Sequence, residues 1–478
     1  MEKNNTNKKP LCVDLDGTII STDTLLESML LSAKLKPYIL FLFPFWILKG
    51  RAYLKKRTAD IAIPDVSLLP YKENVITYIK DEKSKGREIV LATATHKPIA
   101  DAVAAHLGIF DKVLSTDNNH NLRSENKSMA LVELYGERGF DYIGDSSADL
   151  AVWKSASGAI LVEPDNSLLN KVKSFSNVIK VFERENKSLR TLIKEIRVYQ
   201  WIKNILIFLP FLMAHKPEAD IILNAFFAFL SFSFTASFVY VINDLLDLES
   251  DRQHPRKKLR PLASGALTIH TGVLSAPLLL LAGLAIGIFL LPVEFLYTLL
   301  IYLILTTTYS FYLKRIIILD VIILSCLYTI RLIAGANAVN VEASPWLLGF
   351  SIFLFLSLAI MKRYTELRVI LEQNKSKTKG RGYKVEDSTF LRTIGPISGY
   401  LSVLILALYV NSEKVFSLYN TPQMLWLTLL CLLFWVSRIW LVAYRGKMYD
   451  DPIVFMAKDP VSYIVGLIVT ILVIGAAI

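Results

Sequence analysis

Cysteine is scarce in this 478-residue sequence: Cys12, Cys326 and Cys431 stand alone, with no Cys-x-x-Cys pair among them. Three such residues cannot form a disulfide framework, and no His/Cys group has zinc-site spacing, so a reducing compartment fits and structural zinc is not expected. Charge is thin as well. Asp, Glu, Lys and Arg make up 20% of the chain, apolar residues make up 53%, and mean hydropathy is +0.43. That composition is hard to close into one water-soluble globule, so much of the chain is expected in lipid. The first twenty residues lack the long apolar core and small-residue cleavage site of a signal peptide, so the N-terminal part is expected in the cytoplasm. Internal repeats, low-complexity tracts and nucleic-acid modules are absent. The net charge of +11, from 53 Lys+Arg against 42 Asp+Glu, therefore has to be explained by a membrane surface or a phosphorylated ligand.

At about 150 residues per domain the length suggests two or three domains, and the pattern changes near residue 180. Before it, short apolar runs alternate with amphipathic stretches, as in a parallel α/β sheet of Rossmann-like type covered by helices. Residues 11–16, 88–95, 141–145 and 159–163 are its expected strands. Residues 182–197 have the period of an amphipathic linker helix lying at a membrane surface. The expected division is 1–180 soluble, 181–198 linker and 199–478 an all-α polytopic membrane domain. From Trp201 onward nine apolar segments follow, at roughly 202–214, 221–242, 273–291, 295–311, 316–336, 345–360, 397–410, 424–441 and 461–478. Loops after even-numbered segments hold twenty Lys/Arg, whereas loops after odd-numbered ones hold only Lys216 and Lys414. The positive-inside rule then puts the even loops and the soluble domain on the cytoplasmic side of a bacterial-type inner membrane.

The soluble half carries Asp14-Leu15-Asp16-Gly17-Thr18 at the end of an expected strand. A carboxylate that attacks a phosphate needs a second carboxylic acid beside it to protonate the leaving oxygen, and two residues along a strand end supply both. Thr93 ends the next apolar strand, Lys127 follows a loop, and Gly144-Asp145-Ser146-Ser147-Ala148-Asp149 ends another. Taken in that order the set resembles the haloacid dehalogenase superfamily of phosphatases over residues 9–170. The resemblance implies Asp14 as nucleophile and Asp16 as general acid/base. It also implies Mg²⁺ held by Asp14, Asp145 and the backbone carbonyl of Asp16 with support from Asp149, and phosphoryl oxygens on Thr93 and Lys127. The sequence Leu-Ala-Thr-Ala-Thr leaves Thr95 as the alternative to Thr93. Between Asp16 and Thr93 an expected helical cap contains the apolar run 38–48, flanked by Lys34, Lys36, Lys49 and Arg51. Eleven residues are too few to span a bilayer. They read either as a buried cap core or as a segment dipping into the lipid interface beside a lipid-linked substrate.

At the end of the second apolar segment stand Asn243, Asp244, Asp247 and Asp251, followed by His254-Pro255-Arg256-Lys257-Lys258-Leu259-Arg260-Pro261-Leu262-Ala263-Ser264-Gly265. On one continuous helix the three aspartates fall within about 60° of each other. Such a stripe is costly at a membrane boundary unless a cation fills it, and Mg²⁺ bridging a diphosphate does so. The segment resembles the first Asp-rich motif of the UbiA superfamily of intramembrane transferases, and the resemblance extends over about 195–478. One departure matters: after the sixth segment, residues 361–394 contain no second Asp-x-x-x-Asp and read Met361-Lys362-Arg363-Tyr364-Thr365-Glu366 instead.

Within the superfamily, Gln200-Trp201-x-Lys203-Asn204, Lys314 with Asp320, Lys362-Arg363-x-x-Glu366 and Asp450-Asp451-Pro452 resemble the polyprenyl-phosphate phosphoribosyltransferase branch, of the decaprenyl-phosphate type. That resemblance implies phosphoribosyl pyrophosphate on Asp244, Asp247 and Mg²⁺, a polyprenyl phosphate acceptor, and phosphate contacts from Lys203, Arg256, Lys258, Arg260, Lys314, Arg315, Lys362 and Arg363, with Asn243 and Glu366 beside them. Asp320 reads as a ribose contact or a structural pair. Arg331, eleven residues on, is expected to face the same way, inward to a ligand or snorkelling outward. The alternative function is an aromatic polyprenyltransferase using a polyprenyl diphosphate, with a phosphatase of other specificity; a soluble domain kept only as a scaffold is a further class.

Overall fold

A computed structural model describes residues 8–117, 121–183, 189–213, 218–372, 382–448 and 451–478. The chain divides into two compact units, one of residues 1–197 with 240–277, the other of 198–239 with 278–478. The segment that follows the second apolar run therefore clusters with the soluble half.

In the first unit a six-stranded sheet is built from β1 (Leu11–Val13), β2 (Ile89–His96), β3 (Lys112–Thr116), β4 (Asp141–Gly144), β5 (Gly158–Val162) and β6 (Asn177–Phe182). All pairings are parallel, in the order β3-β2-β1-β4-β5-β6. Alternation along the strands explains why both faces are covered: Leu11, Val13, Ile89, Leu91 and Ile143 enter one apolar core, and Cys12, Val90, Ala92 and Tyr142 the other. Four strands were expected. β3 and β6 were overlooked because Lys112, Asn177 and Lys180 break their apolar runs; they are the edge strands, half solvated, where charge is tolerated. Of the expected linker 182–197, Phe182 ends β6, residues 184–188 lie outside the described residues, and Leu189–Glu195 is helical. Because β1 is flanked by β2 on one side and β4 on the other, the strand order reverses there. The carboxyl ends of those three strands surround the crevice where ligands bind in such sheets.

The cap follows β1. It comprises α1 (Thr24–Leu35), a 3₁₀ stretch at Pro37–Phe41, α2 (Phe43–Leu48) and α3 (Arg51–Ile61). Asp23 caps α1 by accepting from the amides of Leu25 and Leu26, and Ala33, Ile39, Phe43 and Leu54 form the cap's small core.

Among the described residues eight helices are long and apolar enough to cross a membrane: Ala219–Leu246, Ile269–Phe289, Val293–Phe311, Leu319–Ala338, Pro345–Leu371, Val385–Val410, Pro422–Tyr444 and Pro460–Ala477. The protein is an integral multi-pass membrane protein. Of the nine expected segments the first differs among the described residues: Val198–Phe208 is a 3₁₀ stretch that passes into the five-residue helix Leu209–Met213, and residue 214 lies outside the described set. Inside the second unit, small and hydroxyl side chains let helices approach. Ser357 donates to the Gly395 carbonyl and accepts from the Trp440 indole, and Thr329 bonds Ser351.

Candidate functional sites

Asp14 follows β1 and Asp145 follows β4, so adjacent strand ends bring the two together. Among the described residues the one group of three acidic side chains with ligand atoms within 4.8 Å of each other is Asp14, Asp145 and Asp149. Lys127 is buried among them, 2.9 Å from Asp14 Oδ1 and 3.5 Å from Asp149 Oδ1, and donates to the Tyr142 hydroxyl at 2.8 Å. Asp149 also accepts from Tyr142 and from the amides of Asp145 and Ser146, which fixes the turn after β4. Gly17 has φ +75°, and a Cβ there would lie 2.2 Å from Asp145 Oδ2, so only glycine lets the loop after β1 pass the carboxylate. Burial pushes Asp14 up to about 6 against the pull of Lys127. Burial, then the charges of Asp149 and Asp14, pushes Asp145 well above the usual carboxylate range. A cluster of three carboxylates with one lysine, destabilised by its own like charge, suits a hard divalent cation such as Mg²⁺.

Asp16 points the other way, into the cap. It accepts from the amide and hydroxyl of Thr24 at 2.8 and 3.1 Å and from the Thr95 hydroxyl at 2.7 Å. Thr93 stands one step behind, donating to Thr95 at 3.1 Å. Burial, then the charge of Asp23, pushes Asp16 up to about 7, so near neutrality a large share of it keeps the proton a general acid must give. Sequence reasoning overlooked what adjoins it: a small pocket of about 10 Å³, room for about one water, lined by Thr24, Leu25, Ser28, Lys55, Thr58, Thr95, His96 and Ile99. The Ser28 hydroxyl and both His96 ring nitrogens are buried there without a hydrogen-bond partner among the described residues. No local pattern marks them, because the cavity forms only when cap meets sheet.

The Asp-rich segment is not one helix. Helix Ala219–Leu246 ends before Asp247, and a short helix, Leu248–Arg252, restarts after it, so the expected single stripe is broken. Asp244 is buried and held by Arg197 Nη2 at 2.5 and 2.7 Å, and it shares Arg260 (2.8 Å) with Asp251 (2.5 Å). Asp247, about one-third exposed, pairs instead with Lys34 of α1 at 2.8 Å. Guanidinium groups thus supply the positive charge that the stripe requires. Glu195, unremarked in the sequence, is buried beside them; its Oε1 has no partner among the described residues, and burial and then Asp244 push it up to about 7. Burial likewise raises Asp251. Arg256 and Lys258 lie exposed in the turn that follows, and Asn243 is at the end of the long helix.

Further contacts join this segment to the soluble half. Arg252 forms a buried two-point ion pair with Glu27 at 2.6 and 3.2 Å and donates to the Ala263 carbonyl at 3.0 Å. Glu249 accepts from the Asp65 amide at 2.9 Å, and a Cβ on Gly265 would meet Ser21 Cβ at 2.6 Å.

In the second unit Asp320 is fully buried and bonded by Arg363 Nε and the Tyr383 hydroxyl, each at 2.5 Å. Arg363 also reaches Glu366 at 2.8 Å and the Tyr309 hydroxyl at 2.9 Å. Lys362 and Lys203 share Asp451 at 2.7 and 3.7 Å; against the effect of burial, their charges hold that carboxyl well below its usual range. Asp450 lies outside the described residues. Lys314 and Arg315 occupy a 3₁₀ turn between helices. Arg331 is buried and does not snorkel outward. It donates to Asn204 at 2.8 Å and sits 5.2, 5.3 and 5.4 Å from the rings of Phe232, Tyr302 and Tyr328, whose faces stabilise the charge.

The parallel sheet gathers its aspartates at the switch point, and the eight apolar helices among the described residues define a polytopic membrane protein. The sequence profile of the UbiA prenyltransferase family matches residues 204–458, and that of haloacid dehalogenase-like hydrolases matches residues 38–154. The chain belongs to the UbiA prenyltransferase family and carries a haloacid dehalogenase-like hydrolase domain ahead of it. It is 36% identical to the uncharacterized protein y4nM of Sinorhizobium fredii over 97% of this chain and 90% of that one. It is 33% identical to nodulation protein NoeC of Azorhizobium caulinodans over 56% of this chain and 87% of that one. Identity to decaprenyl-phosphate phosphoribosyltransferase of Mycolicibacterium smegmatis is 34%, over 46% of this chain and 70% of that one.

Proposed function

We propose that this chain is a two-step membrane enzyme. Its transferase part, residues 199–478, moves a 5-phosphoribosyl group from phosphoribosyl pyrophosphate to a polyprenyl phosphate, and its phosphatase part, residues 1–180, removes the 5-phosphate to leave polyprenyl-phosphoryl-ribose. The observation that carries this reading is the segment in place of a second Asp-rich motif: Lys362, Arg363 and Glu366 with Asp320, basic where a second carboxylate pair would bind metal and diphosphate. The named phosphoribosyltransferase relatives support it.

In the first step a lipid phosphate oxygen attacks the anomeric carbon, the bond to the diphosphate breaks, and pyrophosphate leaves. Asp244, Asp247 and Asp251 are the residues for the diphosphate and its Mg²⁺, with Arg256, Lys258 and Arg260 on phosphate oxygens; Asn243, Lys203, Lys314, Arg315, Lys362 and Arg363 complete the substrate contacts. In the second step the Asp14 carboxylate attacks the monoester phosphorus while Asp16 passes its proton to the departing ribose oxygen. Asp16 then takes a proton from the water that hydrolyses the aspartyl phosphate. Asp14, Asp145 and the Asp16 carbonyl are the groups for Mg²⁺, with Asp149 supporting; the bound ion offsets phosphate charge. Thr93 or Thr95, with Lys127, holds the phosphoryl oxygens.

Both sites face the cytoplasm across an inner membrane in this reading, in keeping with the Lys/Arg asymmetry and with the contacts between the 247–268 segment and the soluble half. Tethering keeps the phosphatase at high effective concentration over its lipid product. The test supplies purified chain, Mg²⁺ and polyprenyl phosphate with either radiolabelled phosphoribosyl pyrophosphate or a prenyl diphosphate plus 4-hydroxybenzoate. Label entering lipid from the first donor alone is expected; product from the second alone overturns the reading.

A further inference from the structure

The cap hairpin Pro37–Leu48 shows two faces. Ile39 and Phe43 turn inward onto Ala33 and Leu54, while Tyr38, Leu40, Phe41, Phe45, Ile47 and Leu48 stand outward, Phe41 79% and Leu48 84% exposed. A soluble domain rarely leaves so many large apolar side chains together in water, and such a patch marks a surface that is covered in use. Lys36, Lys49 and Arg51, all exposed, rim it, so the covering surface is apolar at its centre and anionic at its edge.

Helix α1 sets the level at which this face lies. At its C-terminal end Lys34 pairs with Asp247 at 2.8 Å, the residue just beyond the spanning helix Ala219–Leu246. At its N-terminal end Asp23 is 3.7 Å from His270, the second residue of the spanning helix Ile269–Phe289. These two spans are consecutive, so both of those ends lie at one membrane boundary. A 12-residue helix is about 18 Å long, and one held at both ends beside that boundary runs along it. The hairpin starts two residues past the end of α1.

We propose that Pro37–Leu48 is a monotopic membrane anchor. Its outward side chains sit among the headgroups and upper acyl chains of the cytoplasmic leaflet, and Lys36, Lys49 and Arg51 contact anionic lipid phosphates. The anchor holds the cap against the bilayer, so Asp14 and Asp16 meet a phosphomonoester borne on a lipid without that lipid leaving the membrane. That purpose rests on the proposed function; the anchoring itself does not.

The test uses the full chain in nanodiscs of anionic phospholipid, with Cys326 and Cys431 replaced by alanine and a bimane label on Phe41→Cys or, as exposed control, Lys80→Cys. Nitroxide lipids labelled high on the acyl chain are expected to quench the Phe41 label several-fold more than the control, and aqueous iodide several-fold less. Iodide quenching equal to the control overturns the anchor. Protection from both quenchers, which marks a second protein copy as the covering surface, overturns it too. In parallel, the triple variant Phe41→Ser, Phe45→Ser, Leu48→Ser should lose at least tenfold in dephosphorylating a lipid-linked phosphomonoester and keep its rate on a water-soluble one. Lipid quenching without any activity on lipid leaves the anchor standing and removes the proposed second step instead.

Discussion

Glu27 and Arg252 are 225 positions apart, yet they make a buried ion pair between the soluble half and the Asp-rich segment, at 3% and 6% side-chain exposure. Glu27 also accepts from Thr22 at 2.7 Å, and among the described residues Arg252 keeps one further bond, to Ala263. Glu27→Ala would leave a buried guanidinium with that single carbonyl. Breaking a buried pair from one side costs about 3–5 kcal/mol, which at 2–4 °C per kcal/mol lowers the apparent midpoint of inactivation by about 6–20 °C. Glu27→Gln preserves the shape and an amide oxygen, so the expected loss is smaller, about 1–3 kcal/mol. The assay is thermal inactivation of phosphomonoesterase activity for wild type, Glu27→Ala, Arg252→Ala and the double variant. If the pair is as coupled as its burial requires, the double variant is far less damaged than the two single losses added together. Single losses under about 0.5 kcal/mol, or strict additivity, would refute the reasoning and reduce the pair to an exposed one.

Three further outcomes follow from the site geometry. Asp14→Asn should accumulate the phosphorylated lipid intermediate in a chromatographic assay, and Asp16→Asn should lower dephosphorylation about 10²–10⁴-fold; unchanged turnover in either assigns the chemistry elsewhere. Glu195 is raised to about 7 in the folded state, so it binds a proton that the unfolded chain has lost. Its contribution is complete below its unfolded pKa of about 4.3 and disappears as pH rises through 7. Glu195→Gln should therefore raise the melting temperature at pH 8 more than at pH 5 in metal-free buffer, and equal shifts at both would contradict that burial. Asp320→Ala should destabilise the membrane half more than Asp320→Asn, since asparagine keeps one carbonyl oxygen to accept from Arg363 or Tyr383; equal thermal shifts would mean the pairing is not structural.

The sequence by itself determined where the long apolar helices lie and which family each half belongs to. Apolar run length separates lipid from water, and Asp14, Asp16, Lys127 and Asp145 are legible because each ends a strand or follows a loop in the order that a parallel sheet gathers. Local pattern failed where a residue's partner is remote. Asp244, Asp247 and Asp251 look like one stripe on a helical wheel, but the helix stops before Asp247, and that aspartate turns to Lys34. The expectation for Asp320 left open a ribose contact or a pairing, and the structure pairs it with Arg363 and Tyr383. Arg331 turned inward because aromatic faces from three helices meet around it.

Only the tertiary structure decided that the run 38–48 turns most of its side chains outward, that Glu27 meets Arg252, and that Glu195, Ser28 and His96 are buried without full partners among the described residues. The reason is physical. Composition and period fix the free energy of transfer for a segment, which depends on its own atoms. The facing of an all-apolar run and the partner of a charge depend on which distant surface docks there, and no nearby residue records that.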